Sequence, residues 1–150
     1  MRYLALTLVL VAVGCGDGGP VEPDPEPYIN LGGVFALAYA EPSEPWARSC
    51  ADGSTAPMEF EGGSLTLTDT AADAAVPDPA GVRLTLLSVC GVDTMRVYGL
   101  GYGDYLATSD SLLLSGWLGA VIPRDGTHDQ DNVSLPAAWD GTDYALGFSR

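Results

Sequence analysis

Few residues in this chain have types and spacing suited to chemistry. His128, the one histidine among 150 residues, stands in "RDGTHDQDN". Ser-His-Asp catalysis needs an imidazole held beside a nucleophile and oriented by a third group. A histidine among acids in a polar stretch reads instead as a surface-loop residue. Around it lie Asp125, Asp129, Asp131 and Asn132. Crowded oxygen ligands of this kind can hold calcium, so these four are a calcium candidate. Counted from Asp129, the EF-hand pattern breaks at Val133, and a solvated acidic loop is the default. Glu59 and Glu61 share a strand face. Paired carboxylates can serve as acid and base in glycoside hydrolysis. Beside Ser64 and Thr66 they read as solvated surface groups. Trp46, Trp117 and Trp139 are scattered and suit packing better than a ligand pocket. No cofactor follows from these patterns, and the chain reads as non-enzymatic.

Three cysteines, Cys15, Cys50 and Cys90, are the remaining reactive groups. Cys15 follows a short positive start (Met1-Arg2) and ten apolar residues, "LALTLVLVAV". A bilayer-spanning helix needs about 20 residues, whereas ten is the length of a signal-peptide core. Then comes "AVGC". This arrangement resembles the bacterial lipoprotein signal and its lipobox, with Ala12 where that family usually has Leu. The resemblance implies cleavage between Gly14 and Cys15, a diacylglycerol on the Cys15 sulfur, and acylation of the new amino group. It makes residues 1–14 a signal peptide. Gly16, where Asp would favour the inner membrane, points to the outer membrane. One acyl chain binds a membrane only marginally and two hold it firmly.

With Cys15 lipidated, Cys50 and Cys90 are left as one pair in an oxidising compartment, which predicts a disulfide between them. Residues 15–27 read as the lipidated cysteine and a Gly/Pro/acidic tether. Its "GDGGPVEPDPEP" stretch carries four acids. At about 3.1 Å per residue it reaches roughly 37 Å.

Charge narrows the partners. There are 20 acids, and all six Lys+Arg positions are Arg. Such a surface repels phosphate backbones and excludes nucleic-acid binding. A domain of this size buries roughly two-thirds of its unfolded surface.

Residues 28–150 then read as one all-β domain. The apolar pattern has period two from Gly32 onward. "GVFALAYA" places Phe35, Leu37 and Tyr39 on one face. In "PMEFEGGSLTLTD" a two-residue Gly62-Gly63 turn would make a hairpin pairing Phe60 with Leu65 and Met58 with Leu67. "GVRLTLLSV" turns through "CGVD" into a strand carrying Gly99, Gly101 and Gly103. Glycines there suggest a bulge or a bend. "SLLLSGWLGAVI", a loop "PRDGTHDQDN", "NVSLPAAW" and "DYALGFS" complete about eight antiparallel strands. Sequential hairpins favour an up-and-down barrel, which removes sheet edges. An immunoglobulin-like β-sandwich is the alternative.

The strands "GSLTLTD", "GYGDYLATSDSLLLSG" and "YALGFSR" resemble those of lipocalin-like lipoproteins of environmental bacteria, with Val34 and Phe35 where a lipocalin carries its entrance Gly-x-Trp. The expected protein is a membrane-anchored envelope lipoprotein, structural or interaction-based. Its partners are the membrane, through Cys15, and an envelope protein. The alternative is a barrel that binds a small apolar ligand inside.

Overall fold

The computed structural model describes Ile29, residues 31–70 and residues 76–150. The signal segment, Cys15 and the tether of residues 15–27 lie outside these. Eleven strands are present: β1 (Gly33–Pro42), β2 (Ala47–Ser49), β3 (Thr55–Pro57), β4 (Glu59–Leu67), β5 (Asp78–Cys90), β6 (Asp93–Ala107), β7 (Ser111–Gly119), β8 (Val121–Pro123), β9 (Gly126–His128), β10 (Asn132–Trp139) and β11 (Thr142–Ser149). Among the described residues there is no helix.

Eight strands close into an up-and-down antiparallel barrel, in the order β1-β4-β5-β6-β7-β9-β10-β11, and β11 returns to β1. β8 is an extra strand that lies along the same edge of β10 as β9, one residue group further on. β2 and β3 form a separate small hairpin between β1 and β4. The architecture is the lipocalin-like barrel expected from sequence, and closure through β11–β1 excludes the sandwich.

Alternation explains which side chains face inward. Along β10, Val133, Leu135, Ala137 and Trp139 are buried, and the residues between them are exposed or half-buried. β5 alternates in the same way, with Val82, Leu84 and Leu86 inside. The interior is apolar, unlike the polar interior of a barrel that spans a membrane, and the outer face mixes polar residues with exposed hydrophobic ones such as Tyr98, Leu100, Tyr102 and Leu118.

The tight hairpin of primed type is at Asp140-Gly141. Both residues have positive φ, 49° and 78°, and Trp139 pairs with Thr142 across them. Positive φ at both central positions matches the twist of the flanking strands. The expected Gly62-Gly63 turn is absent. Both glycines lie inside the continuous strand β4, which pairs with β5 on either side of an extra residue, Glu61. Phe60 and Leu65 both point inward although five residues separate them. That odd spacing needs one change of parity. A two-residue turn supplies it, and so does a one-residue bulge. Gly63 serves close approach instead: a Cβ there would sit 2.6 Å from the Arg83 carbonyl oxygen.

Two further segments differ from expectation. "SLLLSGWLGAVI" is broken between β7 and β8 at Gly119, whose φ is 131°. The "PRDGTHDQDN" loop contains β9, which closes the barrel by pairing with both β7 and β10.

Candidate functional site

The barrel interior is filled. Gly99, Gly101 and Gly103 on β6 face inward and make room, and the expected irregularity is present at Gly103, where the β6–β7 register shifts between Tyr102 and Asp104. A Cβ on Gly99 would lie 2.5 Å from Val121 and 2.7 Å from the Trp139 ring. On Gly101 it would lie 2.2 Å from the Val121 carbonyl oxygen, and on Gly103 2.7 Å from the Trp117 ring. The space that side chains on β6 would take is occupied by Val121 of β8, Trp139 of β10 and Trp117 of the neighbouring β7. An eight-stranded barrel is just wide enough to be filled by its own side chains.

One end is sealed by the termini of the barrel. Leu31 and Phe35 are fully buried there, and the Arg150 guanidinium stacks 4.5 Å from the Phe35 ring centroid. Arg150 also donates two hydrogen bonds to the Gln130 carbonyl, at 2.9 and 2.7 Å.

At the other end β1 and β4 separate. They pair only over Gly33–Ala36 and Ser64–Leu67. Beyond that, Leu37–Pro42 pairs with β11 alone, and Glu59–Gly63 with β5 alone. Each strand carries a one-residue bulge at the parting: Ala38 on β1 and Glu61 on β4. Bulges bend the strand that holds them and terminate pairing. The first also turns Tyr39 outward, against the expected inward face. There it bonds Ser134 at 3.1 Å and covers Gly147, whose missing side chain it replaces.

The β2–β3 hairpin plugs this end. Trp46, just before β2, meets Trp139 edge-on at 6.0 Å between ring centroids. Phe60 meets Tyr144 edge-on at 5.2 Å. The Met58 amide donates to the Trp46 carbonyl at 2.8 Å. The expected Cys50–Cys90 disulfide is present, with Cα atoms 5.6 Å apart. It fastens the tip of the plug to the end of β5.

Between the two free strand edges lies an open cleft of about 660 Å³. Its floor is apolar, from Leu37, Ala40, Trp46 and Phe60, and its rim carries Glu41, Glu59 and Glu61. No cation is among its described lining residues. Glu61 is engaged: Arg96 grips it with Nε and Nη2 at 2.7 Å each. That hydrogen-bonded guanidinium holds the Glu61 carboxyl below its usual range. Glu41 and Glu59 have no hydrogen-bond or ion-pair partner among the described residues.

The sequence candidates are placed apart from one another. Glu59 and Glu61 are on the outside, as expected, but their spacing to Ser64 and Thr66 is that of one strand and not of a hairpin. His128 is not a surface-loop residue. It is buried on β9, and its Nε2 lies 2.8 Å from the Thr108 carbonyl. A carbonyl only accepts, so Nε2 carries the proton. The ring therefore latches the β6–β7 turn to β9. Its Nδ1 has no hydrogen-bond partner among the described residues, so no nucleophile is held against it.

Two of the acidic side chains nearby are spent on local bonds. Asp125 accepts the Leu114 amide at 2.7 Å. Asp129 accepts the backbone and side-chain N–H groups of Asn132, each at 2.9 Å, and these bonds hold its carboxyl below the usual range. The Asp131 backbone carbonyl accepts the Arg150 amide. Asp125, Asp129, Asp131 and Asn132 thus do not converge, and among the described residues no three acids, histidines or cysteines are grouped to hold a metal ion.

What sequence reasoning missed is the cleft. Glu41 carried no signal, and the Ala38 bulge was hidden because Tyr39 continues the alternation of Phe35 and Leu37. No family model, no curated protein and no solved structure matches the chain.

Proposed function

We propose that the chain is a lipid-anchored envelope lipoprotein whose barrel is a non-enzymatic interaction module that works from its outer surface. Cys15 carries the anchor, residues 15–27 are the tether, and the outer membrane is the destination. The observation that supports this reading is the filled interior, in which Val121 and Trp139 occupy the space beside Gly99 and Gly101. A barrel packed in this way leaves its surface for recognition.

Two measurements test it. Metabolic labelling with a fatty acid is expected to mark the wild type and not Cys15→Ala; equal labelling of both removes the anchor. Titration with an apolar fluorescent probe is expected to show no saturable binding. Saturable one-to-one binding that quenches the buried Trp139 would instead make the barrel a ligand carrier.

A further inference from the structure

We infer that the open seam between β1 and β4 binds an extended basic polypeptide by strand addition to the free edge of β1. This deepens the reading of the barrel as an interaction module and names the class of partner.

Three observations carry it. First, the edge exists. Residues Leu37–Pro42 are in strand geometry and pair with β11 on one side only. An unpaired edge is a template for another strand, and strand addition is a recurrent mode of peptide recognition. Six residues offer roughly 20 Å of edge at about 3.3 Å per residue.

Second, the cleft has the chemistry of a peptide groove. Its floor of Leu37, Ala40, Trp46 and Phe60 takes apolar side chains from one face of an added strand. Side chains on successive residues point to opposite faces, so the alternate ones reach the rim.

Third, the rim selects charge. Glu41 and Glu59 stand unpaired beside the groove, and among its described lining residues there is no cation to oppose them. Lys or Arg at alternate positions of the incoming strand meets both. An acidic peptide is repelled, and an apolar one leaves both carboxylates without partners.

The chain's own tether is a poor occupant. Its stretch "PVEPDPEP" has four prolines, which lack the N–H a ladder needs, and three acids, which the rim repels,. It also leads into Gly33, at the sealed end, away from Leu37–Pro42. A separate polypeptide fits better.

The test uses the full chain purified in detergent and an eight-residue peptide of alternating Lys and Val. Nuclear magnetic resonance titration is expected to shift amides of Leu37–Glu41 and to slow their hydrogen exchange. Two N-methylated versions of the peptide, one blocked on each edge, separate strand addition from charge attraction. Strand addition predicts that one version loses binding at least tenfold and the other stays within about twofold.

The exposed double variant Glu41→Gln/Glu59→Gln is expected to weaken the unmodified peptide about tenfold while leaving the barrel folded. Deleting Glu61 removes the bulge, lets β4 run on beside β1 and is expected to abolish binding. Equal affinity of both N-methylated peptides, equal affinity of a Glu/Val peptide, or no shift in β1 overturns the proposal. Each of these results leaves the packed-interior reading standing, because that rests on the apolar-probe titration.

Discussion

Between Gly33 and Ala36, β1 lies in register with β4; from Leu37 onward the same strand runs free of it. The two halves belong to the same two strands. They differ by one extra residue on each strand, Ala38 and Glu61. In the paired half, Phe35 and Leu65 are fully buried behind a continuous ladder. In the open half the inward residues, Leu37, Ala40 and Phe60, are only half-buried, and a disulfide-fastened hairpin takes over the sealing. One inserted residue on each strand converts a wall into a groove because strand side chains have period two,. The strand cannot absorb the insertion without bending or losing a neighbour.

The largest test of this contrast is a pair of truncations. Phe35→Ala is expected to cost about 4 kcal/mol, the scale for a buried aromatic that leaves a cavity. Leu37→Ala is expected to cost roughly 1 kcal/mol, since its site is open to solvent and forms no closed cavity. Urea denaturation of both measures the difference. Equal losses would mean that the open half is packed like the paired one.

Next in size is the staple on the plug. Closing a 40-residue separation is worth up to about 4 kcal/mol in the chain-entropy model,. Cys50→Ser/Cys90→Ser is expected to lose about 3 kcal/mol in denaturation and to red-shift tryptophan emission as Trp46 leaves Trp139. Emission that stays put would show the plug is held by packing alone.

The sealed end offers a smaller, pH-dependent effect. Tyr105 pairs with Asp78 in the β5–β6 ladder and is buried. Burial, reinforced by the negative charges of Asp78 and Asp69, pushes its hydroxyl up to about 12. The folded state then keeps its proton where the unfolded chain, near 10, has lost it. Stability tied to Tyr105 is full below pH 10, falls between pH 10 and 12, and levels off above. The loss is on the order of 2 kcal/mol. Tyr105→Phe is expected to flatten the fall in that window; an unchanged slope would assign it to other groups.

The smallest effect belongs to the rim of the open half. Glu61 and Arg96 are both well exposed, and exposed pairs contribute about 0–1 kcal/mol,. Arg96→Gln is expected to cost less than 1 kcal/mol by thermal denaturation. A loss above 2 kcal/mol would show that the ion pair, and not the extra residue, sets the bulge.

The same contrast explains what was legible in the sequence. Barrel closure and the Cys50–Cys90 bond follow from alternation, short links and cysteine count. So does the Asp140-Gly141 hairpin, where residue type and required φ agree. Gly62-Gly63 was misread because a turn and a bulge both reverse parity, and a local pattern cannot choose between them. The choice was made by β5, whose thirteen residues accept all of β4 as one strand. His128 was misread for a related reason. Its three-residue strand is defined by partners on β7 and β10 and has no alternation of its own. The groove itself is a feature of two strands losing contact, and neither strand encodes that alone.

Residue-resolved amide hydrogen exchange on β1 and β4 tests the open seam most directly. In an antiparallel sheet the N–H groups of alternate residues point to opposite neighbours. The predicted result is continuous protection over Ser64–Leu67, which β1 and β5 flank on both sides. Protection of only about every second amide is predicted over Leu37–Glu41 and Glu59–Gly63. Uniform protection along the whole of β1 and β4 would contradict the account, because it would mean the seam is closed from end to end.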